Sequence, residues 1–308
     1  MMFGISTIWR SSIISDGQQL LEALAPTGIG GLELEYRLTM AAFQQIRTQL
    51  KNGAWKVLSL HNYCPHPEIL PIEKASGDAF SLSSTNAEQR RLAVKYSLRT
   101  IRQARELGAR AVVFHLGSVA MNPEHDRWFR LYQQGQFQDQ EGKNFVASKL
   151  GQRRAASPAQ MSAALRSLEQ LNRAAEKYGV QLGIENRYFY DEFPNFEEMV
   201  VILERFQGSH IGYWHDVGHG QTQETFGLCR HEELLKTFAP RLIGMHLHDC
   251  KEIGYRDHYA PGSGLVDFDM IKKYLTADAI RILEVQPQVS LAEVQQAIAF
   301  LKTKGIIS

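Results

Sequence analysis

The sequence predicts an α/β fold, a closed (β/α)8 barrel, on three observations. Short β-rich runs alternate with helical stretches along the whole chain, eight times in all. Such alternation gives parallel strands joined by right-handed crossovers, and eight units are enough to close a barrel. The 308 residues exceed an ordinary domain but fall within the about 200 to 400 that one such barrel occupies. The stretch after the first strand, Ser6 to Ser12, lacks the glycine-rich turn of an open doubly wound sheet. The chain therefore reads as a single domain over residues 1–308.

The first strand is expected over Phe3–Trp9. The second covers Gly31–Tyr36 and carries Glu33 and Glu35. The third, Trp55–Asn62, ends in Leu60-His61-Asn62, and the fourth, Arg110–Gly117, contains Phe114-His115. The fifth, Val180–Arg187, ends in Ile184-Glu185-Asn186-Arg187. The sixth is Ile211–Gly220, which begins as a strand and is expected to end as a loop holding Asp216 and His219. The seventh, Arg241–Asp249, ends in His246-Leu247-His248-Asp249, and the eighth, Ile280–Gln286, holds Leu283-Glu284-Val285. Helices are expected at Gln18–Ala25, Met40–Lys51, Asn86–Leu107, Pro158–Tyr178, Phe196–Phe206, His231–Phe238, Asp267–Leu275 and Leu291–Lys304. Gly108 and Gly179 stand where a helix stop belongs.

One spacing breaks the rhythm. Strands five to eight begin roughly thirty residues apart, but the fourth and fifth are separated by about seventy. The excess, about residues 118–157, is expected to form a long helical insert over the catalytic face. It mixes Trp128, Phe129, Tyr132, Phe137 and Phe145 with arginines and lysines that Glu124, Asp126, Asp139 and Glu141 largely offset.

Composition removes several classes. A formal net charge of +1 supplies no strong field to draw in nucleic acid or anionic lipid. No apolar run approaches the ~18 residues of a membrane span, and the N-terminal stretch already reads as a strand rather than a signal peptide. Three widely spaced cysteines, Cys64, Cys229 and Cys250, suit free thiols in a reducing compartment, so the expected location is the cytoplasm.

Strand parity then gathers the chemistry. Side chains alternate between faces, so Gly183 shares a face with Glu185, Trp214 with Asp216, and Gly244 with His246 and His248. Ile282 pairs in the same way with Glu284, Ser59 with His61, and Val113 with His115. Each polar residue falls at or near the end of its strand, where the barrel's active-site face lies. Taken one per strand end, two glutamates, an aspartate and three histidines would repel or stay unsatisfied without a cation, and a divalent metal resolves the conflict. Asp257-His258 leads into Pro261-Gly262-Ser263-Gly264, a turn in a region where barrels often hold phosphate. Arg187 and Arg256 are candidates for pairing a substrate anion or a neighbouring carboxylate.

These motifs, in this order, resemble the xylose isomerase-like TIM barrels, a superfamily that includes sugar-phosphate isomerases and epimerases and the AP endonuclease family 2 (endonuclease IV) enzymes. The resemblance covers nearly the whole chain. It implies an ion, Mn2+ or Zn2+ with Mg2+ also a candidate, held by Glu185, Asp216, His246 and Glu284. It also implies that His61, His115, His219 and His258 correspond to positions that bind further ions in the endonuclease branch. That branch has an aspartate two residues before the last histidine, where this sequence has Arg256, with Asp257 one place off; one or two ions are therefore expected.

The implied activity is a divalent-metal-dependent isomerase or epimerase acting on a sugar or sugar phosphate. It would work through a metal-stabilised enediolate, with Glu185 and Glu284 exchanging the proton and His219, His248, Arg187, Arg256 and Asp257 contacting the substrate. The expected partner is a small carbohydrate, with a homo-oligomer as a candidate state. Nucleic acid is disfavoured by the charge, and no membrane is expected. Two alternatives stand beside it: an endonuclease IV-like phosphodiesterase, and a non-catalytic metal-binding barrel.

Overall fold

A computed structural model describes residues 2–251 and 256–308. Eight parallel strands close into one barrel in sequence order. They are β1 (Met2–Ser6), β2 (Gly31–Leu34), β3 (Lys56–His61), β4 (Ala111–Phe114), β5 (Gln181–Glu185), β6 (Ile211–Asp216), β7 (Leu242–Leu247) and β8 (Ile280–Leu283). β1 pairs with both β2 and β8, so no edge is left open. The helices are α1 (Ile8–Ser11), α2 (Gly17–Leu24), α3 (Met40–Gln49), α4 (Ala87–Leu107), α5 (His125–Gln133) and α6 (Gln140–Tyr178), followed by α7 (Phe196–Arg205), α8 (Val217–Thr225), α9 (His231–Phe238), α10 (Phe268–Lys273) and α11 (Leu291–Thr303). None among the described residues is long and apolar enough to cross a membrane.

Local chemistry sets the helix boundaries. Asn195 and Ser290 each close a capping box, with Glu198 and Glu293 bonding back to the cap amide. Gly108 and Gly179 end α4 and α6 in the left-handed region that favours glycine, as expected.

Three expectations need correction. The first strand stops at Ser6 rather than Trp9, because Thr7 has turned helical and α1 begins at Ile8. The Ile211–Gly220 stretch does not end in a loop: Asp216 caps α8, its carboxylate accepting the His219 amide at 2.7 Å. The helix expected at Pro158–Tyr178 begins earlier, at Gln140, because α6 is one helix of 39 residues that runs through Pro158. A proline inside a helix removes one hydrogen bond and crowds the preceding turn. Pro158 is exposed, and a helix anchored on both sides of it carries that loss. The insert centres on α5, whose Trp128 and Leu131 pack with Phe145, Tyr190 and Phe226 in a small apolar core beside the barrel mouth.

The barrel interior is filled below the strand ends. Trp214 lies on the axis with Val113, Ile280 and Ile282. Glycines on both neighbouring strands admit its indole: a Cβ at Gly183 would lie 3.0 Å from Trp214 Cβ, and one at Gly244 would overlap the ring. The ring centre is 5.2 Å from that of His246, so Trp214 forms the floor of the polar layer above.

A directed chain of hydrogen bonds fixes that layer from outside. Asn186 Oδ1 accepts from the Asp216 amide at 2.7 Å and from the Tyr213 hydroxyl at 3.1 Å. The Tyr213 proton is thereby committed, so His215 Nδ1–H donates to the Tyr213 oxygen at 2.8 Å. His215 Nε2 then accepts from His231 Nε2–H at 3.0 Å. His231 Nδ1 is left buried without a partner, and burial pulls its pKa from 6.5 down to about 4.

A histidine whose folded pKa is depressed stabilises the fold fully above its unfolded pKa and loses that contribution as pH falls toward the folded value. Unfolding free energy of the metal-free chain is therefore expected to drop between pH 6.5 and about 4, by on the order of 3 kcal/mol more than in a His231→Gln variant. Urea titrations across that range check this; a gap between the two proteins that does not change with pH contradicts it.

Candidate metal centre

Six strand ends deliver the residues singled out in the sequence. His61 and Glu185 close β3 and β5, Asp216 closes β6, and His115 and Glu284 immediately follow β4 and β8. His246 is the penultimate residue of β7. His246 and Asp216 are fully buried, and Glu185 and Glu284 are nearly so.

The four ligand candidates meet at one nitrogen. His246 Nδ1 lies 3.3 Å from Glu185 Oε1, 3.5 Å from Asp216 Oδ2 and 3.0 Å from Glu284 Oε2. Its other nitrogen, Nε2, donates to Glu33 at 3.1 Å, and Glu33 is held in turn by the Ser59 hydroxyl at 2.8 Å. A histidine that donates one N–H to a carboxylate presents its second nitrogen to a metal in a fixed orientation. Burial alone would lower the His246 imidazole, but Glu284, Glu33 and Glu185 outweigh it and hold the group well above its ordinary value. Burial likewise opposes ionisation of Glu185 and Asp216. His115 and His246 hold Glu185 well below the usual carboxylate range, and His219 and His248 do the same for Asp216. The donor set of three ionised oxygens and one imidazole suits Mn2+ or Zn2+.

The remaining histidines fall into two places rather than one. His61 Nε2 and His115 Nε2 both face Glu185 Oε2, at 3.3 Å and 3.1 Å. His219 and His258 lie on the other side, their ring centres 6.2 Å apart. His219 Nδ1–H donates to the Asn186 carbonyl at 2.9 Å, which leaves Nε2 with its lone pair, 3.8 Å from Asp257. His258 approaches Glu284 at 3.5 Å and Asp257 at 2.9 Å. The His258 amide donates to His248 Nδ1 at 2.9 Å. His248 Nε2 therefore carries the proton and donates to Asp216 at 2.9 Å, so His248 orients that carboxylate.

Arg187 is buried against Glu192, Asp78 and His115, which realises the carboxylate-pairing alternative open to it in the sequence. Arg256 is exposed, its carbonyl accepting from the Lys251 amide at 3.0 Å. The glycine turn is not an anion cradle: the amides of Gly262, Gly264 and Val266 all donate to Asp249 at 2.9–3.1 Å. Side-chain exposure rises from 1% at Glu185 to 23% at His258 and 38% at Asp78, so the site opens between the Gly77-Asp78 loop and the Asp257-His258 segment.

Sequence reasoning assigned no role to Glu33, Asp78 or Glu192. Parity along β2 points Glu33 inward and could have found it. Asp78 and Glu192 lie in loops without periodicity and carry no such signal.

The sequence profile of the xylose isomerase-like TIM barrel matches residues 21–304. The chain belongs to that family. Solved structures similar in fold to this family member include the 3-keto-D-glucoside 4-epimerase of E. coli, at 16% identity and TM-score 0.68 over 98% of this chain and 99% of that one. Another is the D-psicose 3-epimerase of Clostridium cellulolyticum H10 with D-tagatose, at 13% identity and TM-score 0.67 over 98% and 99%. The IOLI protein with a bound zinc atom matches at 14% identity and TM-score 0.63 over 99% and 97%. Among curated sequences, the uncharacterized protein MJ1614 of Methanocaldococcus jannaschii is 29% identical over 127 residues, 41% of this chain and 47% of that protein. The match thus spans about half the length of that relative.

Two outcomes follow from this geometry. Zinc added to the metal-free chain at neutral pH must displace the proton that the surrounding carboxylates hold on His246. Calorimetry in buffers of different ionisation enthalpy is expected to show proton release and affinity that weakens as pH falls; binding without proton release contradicts the assignment. Separately, a Cβ at Gly218 would overlap the His248 ring. Gly218→Ala is expected to lower stability by about 1–3 kcal/mol and metal affinity by about 10- to 100-fold, measured by urea unfolding and zinc competition.

Proposed function

We propose that this chain is a divalent-metal-dependent isomerase or epimerase of a sugar or sugar derivative. The observation that carries the reading is the convergence of Glu185 and Glu284 on the His246 nitrogen that Asp216 also faces. Both glutamates are held ionised, since their imidazole neighbours overcome the burial that opposes charge. Ionised carboxylates flanking a bound substrate can take a proton from one face of a carbon and return one at the other or at its neighbour.

Glu185, Asp216, His246 and Glu284 would hold the ion, which when bound supplies a Lewis acid beside the substrate carbonyl. Glu33 keeps the His246 ring in register through its Nε2–H, and His248 does the same for Asp216. His219 Nε2 keeps a lone pair that can accept from a substrate hydroxyl, and Tyr188 lies over its ring at 4.6 Å. The turn amides committed to Asp249, together with Arg187 paired to two carboxylates, favour an unphosphorylated sugar. The epimerase activities of the fold neighbours support the same class of reaction.

Incubation with ketoses in deuterated water tests the proposal. Deuterium is expected to enter a carbon next to the carbonyl of at least one sugar, and a chelator is expected to stop it. Glu185→Gln and Glu284→Gln should each slow exchange by about 10²- to 10⁴-fold. Cleavage of an abasic-site oligonucleotide that is lost in Glu185→Gln, with no exchange into any sugar, would replace this reading with phosphodiester hydrolysis.

A further inference from the structure

The His61, His115 and Glu185 cluster has the form of a second metal site. Its three ligand atoms lie within 4.8 Å of one another. Each imidazole is fixed from behind. His61 Nδ1–H donates to the Asn62 carbonyl at 2.9 Å and His115 Nδ1–H to Asp78 at 2.8 Å. Both rings thus present Nε2 to Glu185 Oε2. Neither ring has room to swing, because Gly77 packs on them: a Cβ there would fall 2.7 Å from His61 Cε1 and 2.9 Å from His115 Nδ1.

A cation already faces that position. Arg187 Nη1 donates to His115 Nε2, using the lone pair a metal would need. An arginine stays charged at any physiological pH, so it does not vacate its charge to admit an ion. The guanidinium is also held on its other edges. Nε donates to Glu192 at 3.1 Å, and Nη2 donates to Glu192 and, at 3.1 Å, to Asp78. Glu192 is itself fixed by the Tyr188 and Phe189 amides at 3.1 and 2.8 Å, and the Arg187 carbonyl accepts from Gln223. The side chain is 5% exposed.

We infer that Arg187 is a built-in replacement for a second metal ion: it neutralises the His61–His115–Glu185 cluster and limits the chain to a single ion, at Glu185, Asp216, His246 and Glu284. The inference concerns ion number and stands apart from the sugar reaction. It also bears on the phosphodiesterase alternative, since hydrolysis by paired ions needs a second metal beside the first.

The test is metal content by mass spectrometry after equilibration with zinc and removal of the excess, with the visible spectrum of the cobalt-loaded chain as a second readout. The wild type is expected to hold about one ion per chain and Arg187→Met about two. Arg187→Lys, which keeps the charge, is expected to stay at about one. In the Arg187→Met background, His115→Gln should remove the gained ion, which separates a site at the cluster from stray binding at the uncovered Asp78 and Glu192. If Arg187→Met does not fold, His61→Gln/His115→Gln decides. This pair is expected to leave the wild-type count unchanged, and loss of one ion overturns the inference. A wild type holding two ions, or an Arg187→Met protein that gains none, overturns it as well. A chain that holds one ion but leaves every sugar unexchanged would sink the proposed reaction and leave this inference standing.

Discussion

Four carboxylates, from Glu33, Glu185, Asp216 and Glu284, converge on the one buried imidazole of His246. Their negative charges are out of water and within a few ångströms of each other. Such a cluster is tolerable only if cations meet it. Much of the surrounding structure serves that constraint. His248 and the His219 amide attend to Asp216, the Ser59 hydroxyl attends to Glu33, and His115 and His61 attend to Glu185. Below, Trp214 seals the barrel between two glycines. That dry floor strengthens every interaction above it, because little solvent is present to screen them.

The barrel architecture is what makes the cluster affordable to assemble. Parallel closure aims each strand end at the same face, so residues distant in sequence arrive together without long loops. Asn186 shows how closely strand and site are coupled. Its side chain bonds both the amide and the carbonyl of Asp216, and its carbonyl fixes the His219 tautomer. One residue beyond the end of β5 thus sets the orientation of two groups delivered by β6 and α8.

Much of this was legible in the sequence because period-two alternation ties face to position. Parity placed Trp214 beneath Asp216 and Gly244 beneath His246. It also grouped the candidate ligands, in a chain whose sequence profile is that of the xylose isomerase-like TIM barrels. Legibility ended where periodicity ends. Asp78 and Glu192 come from irregular segments, and their importance arises from pairing in three dimensions, both with Arg187 and Asp78 also with His115. The length of α6 was hidden by Pro158, which usually marks a helix boundary but here lies exposed within a helix held on both sides. The glycine turn after β7 looked suited to an anion, and only the three-dimensional path brings the Asp249 carboxylate to its amides.

An ion held by Glu185, Asp216, His246 and Glu284 would sit on three carboxylates and a single imidazole. X-ray absorption of the zinc-loaded chain measures this directly, because imidazole rings give distinct multiple-scattering features. An oxygen-rich shell with one histidine is expected. A shell containing two or more histidines would place the ion instead at His61 and His115 or at His248 and His258, and would contradict it.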